Sequence, residues 1–308
     1  MQNPQENISL KEFTTFKIGG PAKYFCRAKS VEDIIEALKW AQGRKLAFFI
    51  LGGGSNLLIS DEGFAGLVIK NELNNLRLQG DALEAQSGVQ LSALINFAVA
   101  NNLSGLQKLT GIYGTVGGAV FGNAGAYGQT ISDYLTEVIC LQNGKIITLS
   151  KEQCEFGYRD SAFKRNSCII LEVHFKLSVS EGKVLQEQVQ EFASQRQAKF
   201  PSSLKCPGSF FKNIPVDPAV AGLKLIPQDK INHGKIPAAI LLEMVGAKGK
   251  KVGDIKVSSY HANLIINEGE GQAKDVWKLA HDLSQAVKEK FGITLEPEVQ
   301  FINLPPLT

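Results

Sequence analysis

Two glycine-rich loops and three short polar motifs hold the residue types in this chain that could do chemistry. The first loop, Gly52-Gly53-Gly54-Ser55-Asn56, directly follows an apolar run. Without side chains, its backbone N–H groups can face a phosphate at close range, and Ser55 and Asn56 add donors. A tight turn needing positive φ explains one glycine, not three in a row. The second loop carries Gly111, Gly114, Gly117, Gly118, Gly122, Gly125 and Gly128, with Thr110, Thr115 and Asn123 among them. Each ordered glycine costs extra backbone entropy, so this density suits close approach to a flat or phosphorylated ligand better than it suits a core. The polar motifs are Tyr158-Arg159-Asp160-Ser161, Gly208-Ser209-Phe210-Phe211-Lys212-Asn213 and Glu296-Pro297-Glu298. Taken singly, each has a plain reading: a surface ion pair, a turn into a strand, a solvated pair of carboxylates.

Other nucleotide signatures are absent. Every Gly-Lys pair is followed by something other than Ser or Thr, which excludes G-x-x-x-x-G-K-[ST]. No G-x-G-x-x-G sits between a strand and a helix, so a dinucleotide here would not rest on a Rossmann unit. Five widely spread cysteines without a C-x-x-C pair read as idle thiols in a reducing compartment. The histidines, His174, His233, His261 and His281, never fall at zinc-ligand spacing, and no metal site is expected. A net charge of +3 with no block of like charges argues against a nucleic-acid surface or a membrane surface. The polar start, Met1 to Glu6, and the lack of any run near the ~18 apolar residues of a spanning helix read as an unexported cytoplasmic protein.

The elements that must position these residues follow from spacing. Ser30-Val31-Glu32-Asp33 predicts a capping box, with Ile34, Ile35 and Leu38 striping a helix that Gly43 closes. Leu46 to Leu51 reads as a buried strand, and Leu67 to Ile69 as another. A second unit begins near Asp81, with an extended Leu83 to Gln86 and a helix striped by Leu91, Leu94, Ile95 and Ala98. Asn143-Gly144 predicts a type I′ hairpin within Thr136 to Leu149, and Ser150 to Gln153 a further capping box. Cys168 to Leu177 reads as a strand, and Ser178 to Lys183 as a domain seam. Beyond it come a polar helix (Val184 to Gln197), a loop with Pro201 and Pro207, and a helix from Pro237 to Val245 with proline in its first turn. Val276, Leu279, Leu283 and Val287 stripe a last helix ended by Gly292, and the closing strand is Glu298 to Ile302. This order suggests an α+β fold.

Taken together, the segments resemble the UDP-N-acetylenolpyruvoylglucosamine reductase (MurB) family over nearly the whole chain. The resemblance is carried by Thr14-Thr15-Phe16-Lys17-Ile18-Gly19-Gly20-Pro21-Ala22, Leu51 to Leu58, Gly114 to Ala119 and Asn123-Ala124-Gly125-Ala126-Tyr127-Gly128. It continues through Tyr158 to Ser161, Gly208 to Asn213, His261-Ala262-Asn263 and Glu296 to Val299, in family order. It implies a two-subdomain FAD-binding fold of the vanillyl-alcohol-oxidase type over residues 1–180, with subdomains of about 1–75 and 76–180. A C-terminal α+β substrate domain, 181–308, would follow.

The resemblance also implies roles. Gly52, Gly53, Gly54, Ser55, Asn56, Thr110, Gly111, Gly114, Thr115, Gly117 and Gly118 would hold FAD, and Tyr127 and Asn213 would touch the substrate. Arg159, Ser209 and Glu298 match the family's catalytic set. NADPH would reduce FAD, which would then reduce a UDP-linked enolpyruvyl sugar. Arg159 suits the enolpyruvyl carboxylate, Ser209 suits proton donation to the enolate carbon, and Glu298 would polarise or share a proton with the same group. The expected protein is a monomer acting on small molecules in peptidoglycan precursor synthesis, without nucleic acid or membrane insertion. Three departures stand out: Tyr113 where Gly-Ile-Pro-Gly is common, Ile214 where proline usually follows the asparagine, and Gln300 where many members carry arginine. The length resembles the family's shorter type, which lacks an inserted tyrosine-bearing lid. Two rival readings are a flavin oxidase of the same superfamily and a non-catalytic nucleotide-sugar-binding protein.

Overall fold

Ser30 opens the first helix as its sequence position predicts. The computed structural model describes residues 3–80, 82–201, 203–217, 221–232 and 234–307; Met1, Gln2, Asp81 and His233 lie outside them. The Ser30 hydroxyl accepts from the Asp33 N–H at 3.1 Å, and the Asp33 carboxylate accepts from the Ser30 N–H at 3.1 Å. This reciprocal cap starts helix α1, Val31–Gly43. Its Ile34, Ala37 and Ala41 are buried in one cluster with Leu67, Ile69 and Leu171. A fully buried Leu or Ile contributes roughly 1.5–3 kcal/mol, and a cap about 1 kcal/mol. The cap therefore sets where α1 begins, and the packed face holds it in place. The strand that follows is shorter than expected, Phe48–Leu51, because the Leu46 N–H is spent on the Ala41 carbonyl at the helix end. Its first residue, Phe48, is 44% exposed, so this is not the buried strand that its composition suggested.

The chain forms two compact units, and neither is one continuous stretch. The first comprises Met1–Glu6, Tyr24–Gly53 and Ala65–Ser202; the second comprises Asn7–Lys23, Gly54–Phe64 and Ser203–Thr308. This division differs from a single cut at 180/181. At the expected seam, Ser178–Val179 pairs with Leu103–Ser104, and the polar helix that follows belongs to the first unit.

The first unit takes in most of the four-stranded sheet ordered Gln5–Ser9, Pro21–Ala28, Phe64–Asn71, Phe48–Leu51. It also holds an antiparallel five-stranded sheet, ordered Lys145–Ser150, Leu135–Gln142, Ile169–Lys176, Ala82–Gln86, Leu76–Gln79. The Asn143-Gly144 turn forms as predicted, with φ of 50° and 76° and Gln142 paired to Lys145. Helix α2 (Leu91–Ala100) buries Leu91, Leu94, Ile95 and Ala98, the stripe its spacing gave. Helix α3 (Val116–Phe121) lies inside the glycine-rich stretch and was not expected there. Helix α4 (Gly182–Lys199) buries Leu185.

The second unit is built on its own core. Helix α5 (Ala238–Met244), preceded by Pro237 as its cap residue, and helix α6 (Ala273–Phe291) pack against Phe210, Phe211, Ile255, Val257 and Ile265. The α6 stripe is the expected one, with Val276, Leu279, Leu283 and Val287 all buried. The last strand, Gln300–Ile302, pairs in parallel with Leu57–Ile59. Glu298 lies before it, for reasons set by the site. Among the described residues, no helix is long and apolar enough to cross a membrane.

Candidate active site

In the first unit, the two glycine loops touch backbone to backbone. A Cβ on Gly53 would lie 2.6 Å from the Gly114 Cα, and one on Gly52 would lie 2.8 Å from Thr115 Oγ1. Any side chain at Gly53 would force the loops apart. The Gly52 carbonyl accepts from the Lys70 ammonium, whose pKa burial holds below the usual lysine range. On the other side, Gly114 O accepts from Leu91 N at 2.9 Å.

Helix α3 starts within this contact, and its first three amides are already bonded. Val116 N–H donates to Val89 O at 2.8 Å, Gly117 N–H to Ser87 O at 2.8 Å, and Gly118 N–H to Thr115 Oγ1 at 3.3 Å. Gly117 is pressed against Ser87, where its Cβ would lie 2.7 Å from the Ser87 Cβ. Gly117 thus supplies closeness rather than a spare donor, and the Gly118 amide is spent on Thr115. The Thr110 hydroxyl is buried and has no hydrogen-bond partner, which is uncommon for a buried oxygen unless a ligand completes it.

Two hairpin tips carry Tyr127 and Arg159. Gly125–Ala126 pairs with Gln129–Thr130, leaving Tyr127-Gly128 as a two-residue tip with φ of 52° and 77°. Gly157 and Asp160 bridge in the same way around Tyr158-Arg159, and Arg159 has φ 54°. Left-handed backbone costs a side-chain-bearing residue about 1–2 kcal/mol, so both positions are held by their surroundings. Arg159 Nη2 donates to Gly125 O at 2.7 Å, tying one tip to the other, and its carbonyl accepts from Lys164 Nζ at 2.7 Å. The ion pair of this motif falls on its neighbour: Asp160 meets Arg165. Burial works against the charged form of Asp160, but the Arg165 guanidinium outweighs it and keeps the carboxyl below its usual range. Ser161 is fully buried and donates to Phe121 O at 2.7 Å.

The second unit assembles Ser209 and Glu298 on adjoining segments. Glu298 N–H donates to Phe210 O at 2.8 Å, and Lys212 N–H to Glu296 O at 2.9 Å, around a bridge between Phe211 and Pro297. This bonding explains why the last strand begins only at Gln300. Phe210 and Phe211 are buried in the core and fix the backbone, while Ser209 and Glu298 beside them stay half-buried. Asn263 seals the arrangement: its Oδ1 accepts from Phe211 N at 2.9 Å, and its Nδ2 donates to Phe211 O at 2.8 Å. Asn263 stood in one of the motifs, but nothing in the sequence gave it this role.

Other expected residues also make bonds within the fold. Asn56 Nδ2 donates to Glu298 O at 3.0 Å, while Asn56 O accepts from Gln300 N at 2.9 Å. Gly54 lies where a Cβ would meet Phe13 O at 1.9 Å. Asn213 Oδ1 accepts from Ala238 N at 3.2 Å, at the start of α5. Gln300 Nε2 reaches back to Glu298 O at 3.3 Å, and Tyr113 is 55% exposed. Spacing along the chain could not reveal that Glu84, Glu172 and His174, from neighbouring strands, bring possible ligand atoms within 4.8 Å of one another. Arg77 supplies the positive charge there: it bonds Glu172 at 3.1 Å and pairs with Glu84, and its own pKa is raised chiefly by the Glu172 contact.

Comparison with known proteins places these features in a lineage. A family model described as FAD binding domain matches residues 22–150. Another, described as UDP-N-acetylenolpyruvoylglucosamine reductase, C-terminal domain, matches residues 200–302. A UDP-N-acetylenolpyruvoylglucosamine reductase from Solibacter usitatus is 40% identical over 298 residues, 96% of this chain and 95% of that protein. One from Clostridium tetani is 38% identical, covering 98% of this chain and 93% of its own. The crystal structure of the Thermus caldophilus reductase superposes with a TM-score of 0.78 at 30% identity, covering 97% of this chain and 99% of that one. The α+β class and the FAD-binding domain of vanillyl-alcohol-oxidase type are therefore as expected. With relatives this similar along almost its entire length, the chain belongs to the UDP-N-acetylenolpyruvoylglucosamine reductase family of FAD-containing oxidoreductases.

Proposed function

We propose that the chain uses NADPH and bound FAD to reduce UDP-N-acetylglucosamine enolpyruvate to UDP-N-acetylmuramate, as a cytoplasmic monomer in peptidoglycan precursor synthesis. The observation that carries the reading is the pairing of Phe210–Lys212 with Glu296–Glu298, which sets the Ser209 hydroxyl and the Glu298 carboxyl on adjoining backbone.

The residues present fit FAD. The contact of Gly53 with Gly114 holds the two glycine-rich loops together without side chains between them, and the buried, partnerless Thr110 hydroxyl offers a donor on the second loop. Gly52, Gly53, Gly54, Ser55, Asn56, Thr110, Gly111, Gly114, Thr115, Gly117 and Gly118 would hold the cofactor. When bound, FAD supplies the hydride chemistry, taking a hydride from NADPH and giving one to the terminal vinyl carbon.

The chain's own part is charge and proton control. Hydride addition leaves negative charge on the carbon beside the carboxylate, as an enolate. Arg159 is assigned to that carboxylate, where its planar fork of donors stabilises the growing charge. Ser209 gives its proton to the enolate carbon; a hydroxyl is a weak acid, but an enolate is base enough to take the proton. Glu298 polarises the carboxylate held by Arg159 or shares a proton with it. Tyr127 and Asn213 contact the sugar nucleotide.

An anaerobic visible spectrum tests this reading. A flavin band that bleaches with NADPH and returns only with the enolpyruvyl UDP-sugar is the expected result. A band that bleaches and does not return would remove the substrate, and no band after added FAD would remove the cofactor.

A further inference from the structure

Helix α4 lies between the two family-model matches, in neither of them, and its composition reads as a plain solvated helix. One stripe of it is not solvated. Leu185 is buried and Val189 packs on the core of the five-stranded sheet. Phe192 and Arg196 continue that stripe at helical spacing, four residues apart. The Phe192 ring lies 5.1 Å from the Tyr127 ring. Arg196 donates from Nε to the Gly111 carbonyl at 2.8 Å. Its stem lies flat on Gly111: a Cβ built there would meet Arg196 Cδ at 2.7 Å and Cγ at 3.1 Å. The guanidinium is backed in turn by the Phe200 ring at 4.7 Å.

Gly111 adopts φ 78° and sits between the partnerless Thr110 hydroxyl and the Ile112-Tyr113-Gly114 segment that reaches Gly53. A contact that fixes the Gly111 carbonyl holds the peptide between Gly111 and Ile112, one residue after Thr110 and two before Gly114. We propose that Arg196 is a positioning residue for FAD. It latches the cofactor loop to α4, and the same helix face backs Tyr127. Cofactor loop and substrate-facing ring are thereby set from one rigid element. The inference rests on the reading of Thr110–Gly118 as the FAD loop.

The test compares the parent with Arg196→Ala and Arg196→Lys, each as apoprotein and holoenzyme. FAD affinity is read by fluorescence titration, the flavin environment by visible circular dichroism, and the fold by the apoprotein melting temperature. Arg196→Ala should weaken FAD binding about three- to tenfold, the worth of one net hydrogen bond, and change the flavin dichroism. The apoprotein melting temperature should hold, since Arg196 is only half-buried. Arg196→Lys keeps a stem over Gly111 and a cation over Phe200 but lacks the Nε donor, so its affinity should fall between the other two. Parent-like FAD affinity and dichroism in Arg196→Ala would overturn the proposal. So would a weakening matched by a fall in apoprotein melting temperature and not relieved by lysine. If Arg196→Ala does not fold, parent-like affinity in Arg196→Lys overturns it and weaker affinity sustains it. A parent protein that binds no FAD would instead refute the cofactor-loop reading on which the proposal stands.

Discussion

Arg159 donates from Nη2 to the Gly125 carbonyl at 2.7 Å, so two hairpin tips in the first unit are joined by the side chain assigned to the substrate carboxylate. That bond uses part of a guanidinium and sets the plane of the rest. Lysine at this position would keep the charge but could not hold Gly125 and also offer a fork. Arg159→Lys is expected to lower kcat/KM for the enolpyruvyl substrate about 10- to 100-fold, within the range for losing a charged hydrogen bond. The rate of flavin reduction by NADPH should stay near that of the parent. Steady-state and stopped-flow kinetics check both halves, and parent-like kcat/KM would remove Arg159 from the carboxylate.

The cap of α1 makes a pH prediction remote from the site. Asp33 has its pKa lowered from 3.8, first by the Lys29 N–H and also by Ser30, against a smaller burial effect. A depressed folded pKa means that the charged cap stabilises above the unfolded value and is lost as pH falls through the folded one. Asp33→Asn should therefore be less stable than the parent at pH 7, and the gap should shrink as pH drops below 3.8. Ser30→Ala should cost about 1 kcal/mol at neutral pH without changing flavin content. Urea unfolding across pH measures both, and a gap that widens in acid would contradict the capping account.

The contact of Gly53 with Gly114 predicts a cofactor defect. A methyl at Gly53 would stand 2.6 Å from Gly114 Cα, with backbone on both sides and no flexible group to move. Overpacking of this kind costs typically 1–3 kcal/mol, and here it would be relieved by parting the two loops. Gly53→Ala should fold with a lowered melting temperature and purify with little bound flavin. Gly128→Ala, where a Cβ meets nothing within 4 Å, is the comparison: its left-handed φ is strained, but it presses on no neighbour. Full flavin content in Gly53→Ala would mean that the loop contact does not shape the cofactor site.

Local signals were legible, and long-range ones were not. The Ser30 cap, the Asn143-Gly144 turn and the α6 stripe depend on residues within a few positions, and all three form. Helix α3 was hidden because glycine is a poor helix former, and only Thr115 as cap residue marks it. The seam at Ser178 to Lys183 misled because α4 is polar on most faces, while the stripe of Leu185, Val189 and Phe192 is thin. The interleaved units rest on pairings such as Leu57 with Gln300, which no local pattern encodes. At the site, residue types were readable through the family resemblance, but conformation was not. Arg159 and Tyr127 hold left-handed backbone with no glycine or asparagine at their own positions to announce it. Asn56 and Asn213, expected to contact ligands, spend side-chain atoms on Glu298 and α5.

Ser209 gives the most direct test of the proposed chemistry. Its backbone is fixed by the buried Phe210 and Phe211 and by the Asn263 bonds to Phe211, so removing one oxygen should leave the segment in place. The hydride transfer from NADPH needs nothing from that hydroxyl, whereas protonation of the enolate carbon does. Ser209→Ala should thus let NADPH bleach the flavin at the parent rate, while overall turnover slows roughly 100- to 10,000-fold, the usual worth of a positioned proton donor. In deuterium oxide the parent should place deuterium on the carbon beside the carboxylate, and the residual activity of the variant should show a larger solvent isotope effect. Turnover equal to the parent would take the proton-donor role away from Ser209. Slow bleaching by NADPH would instead mean that the variant harms the flavin site as a whole.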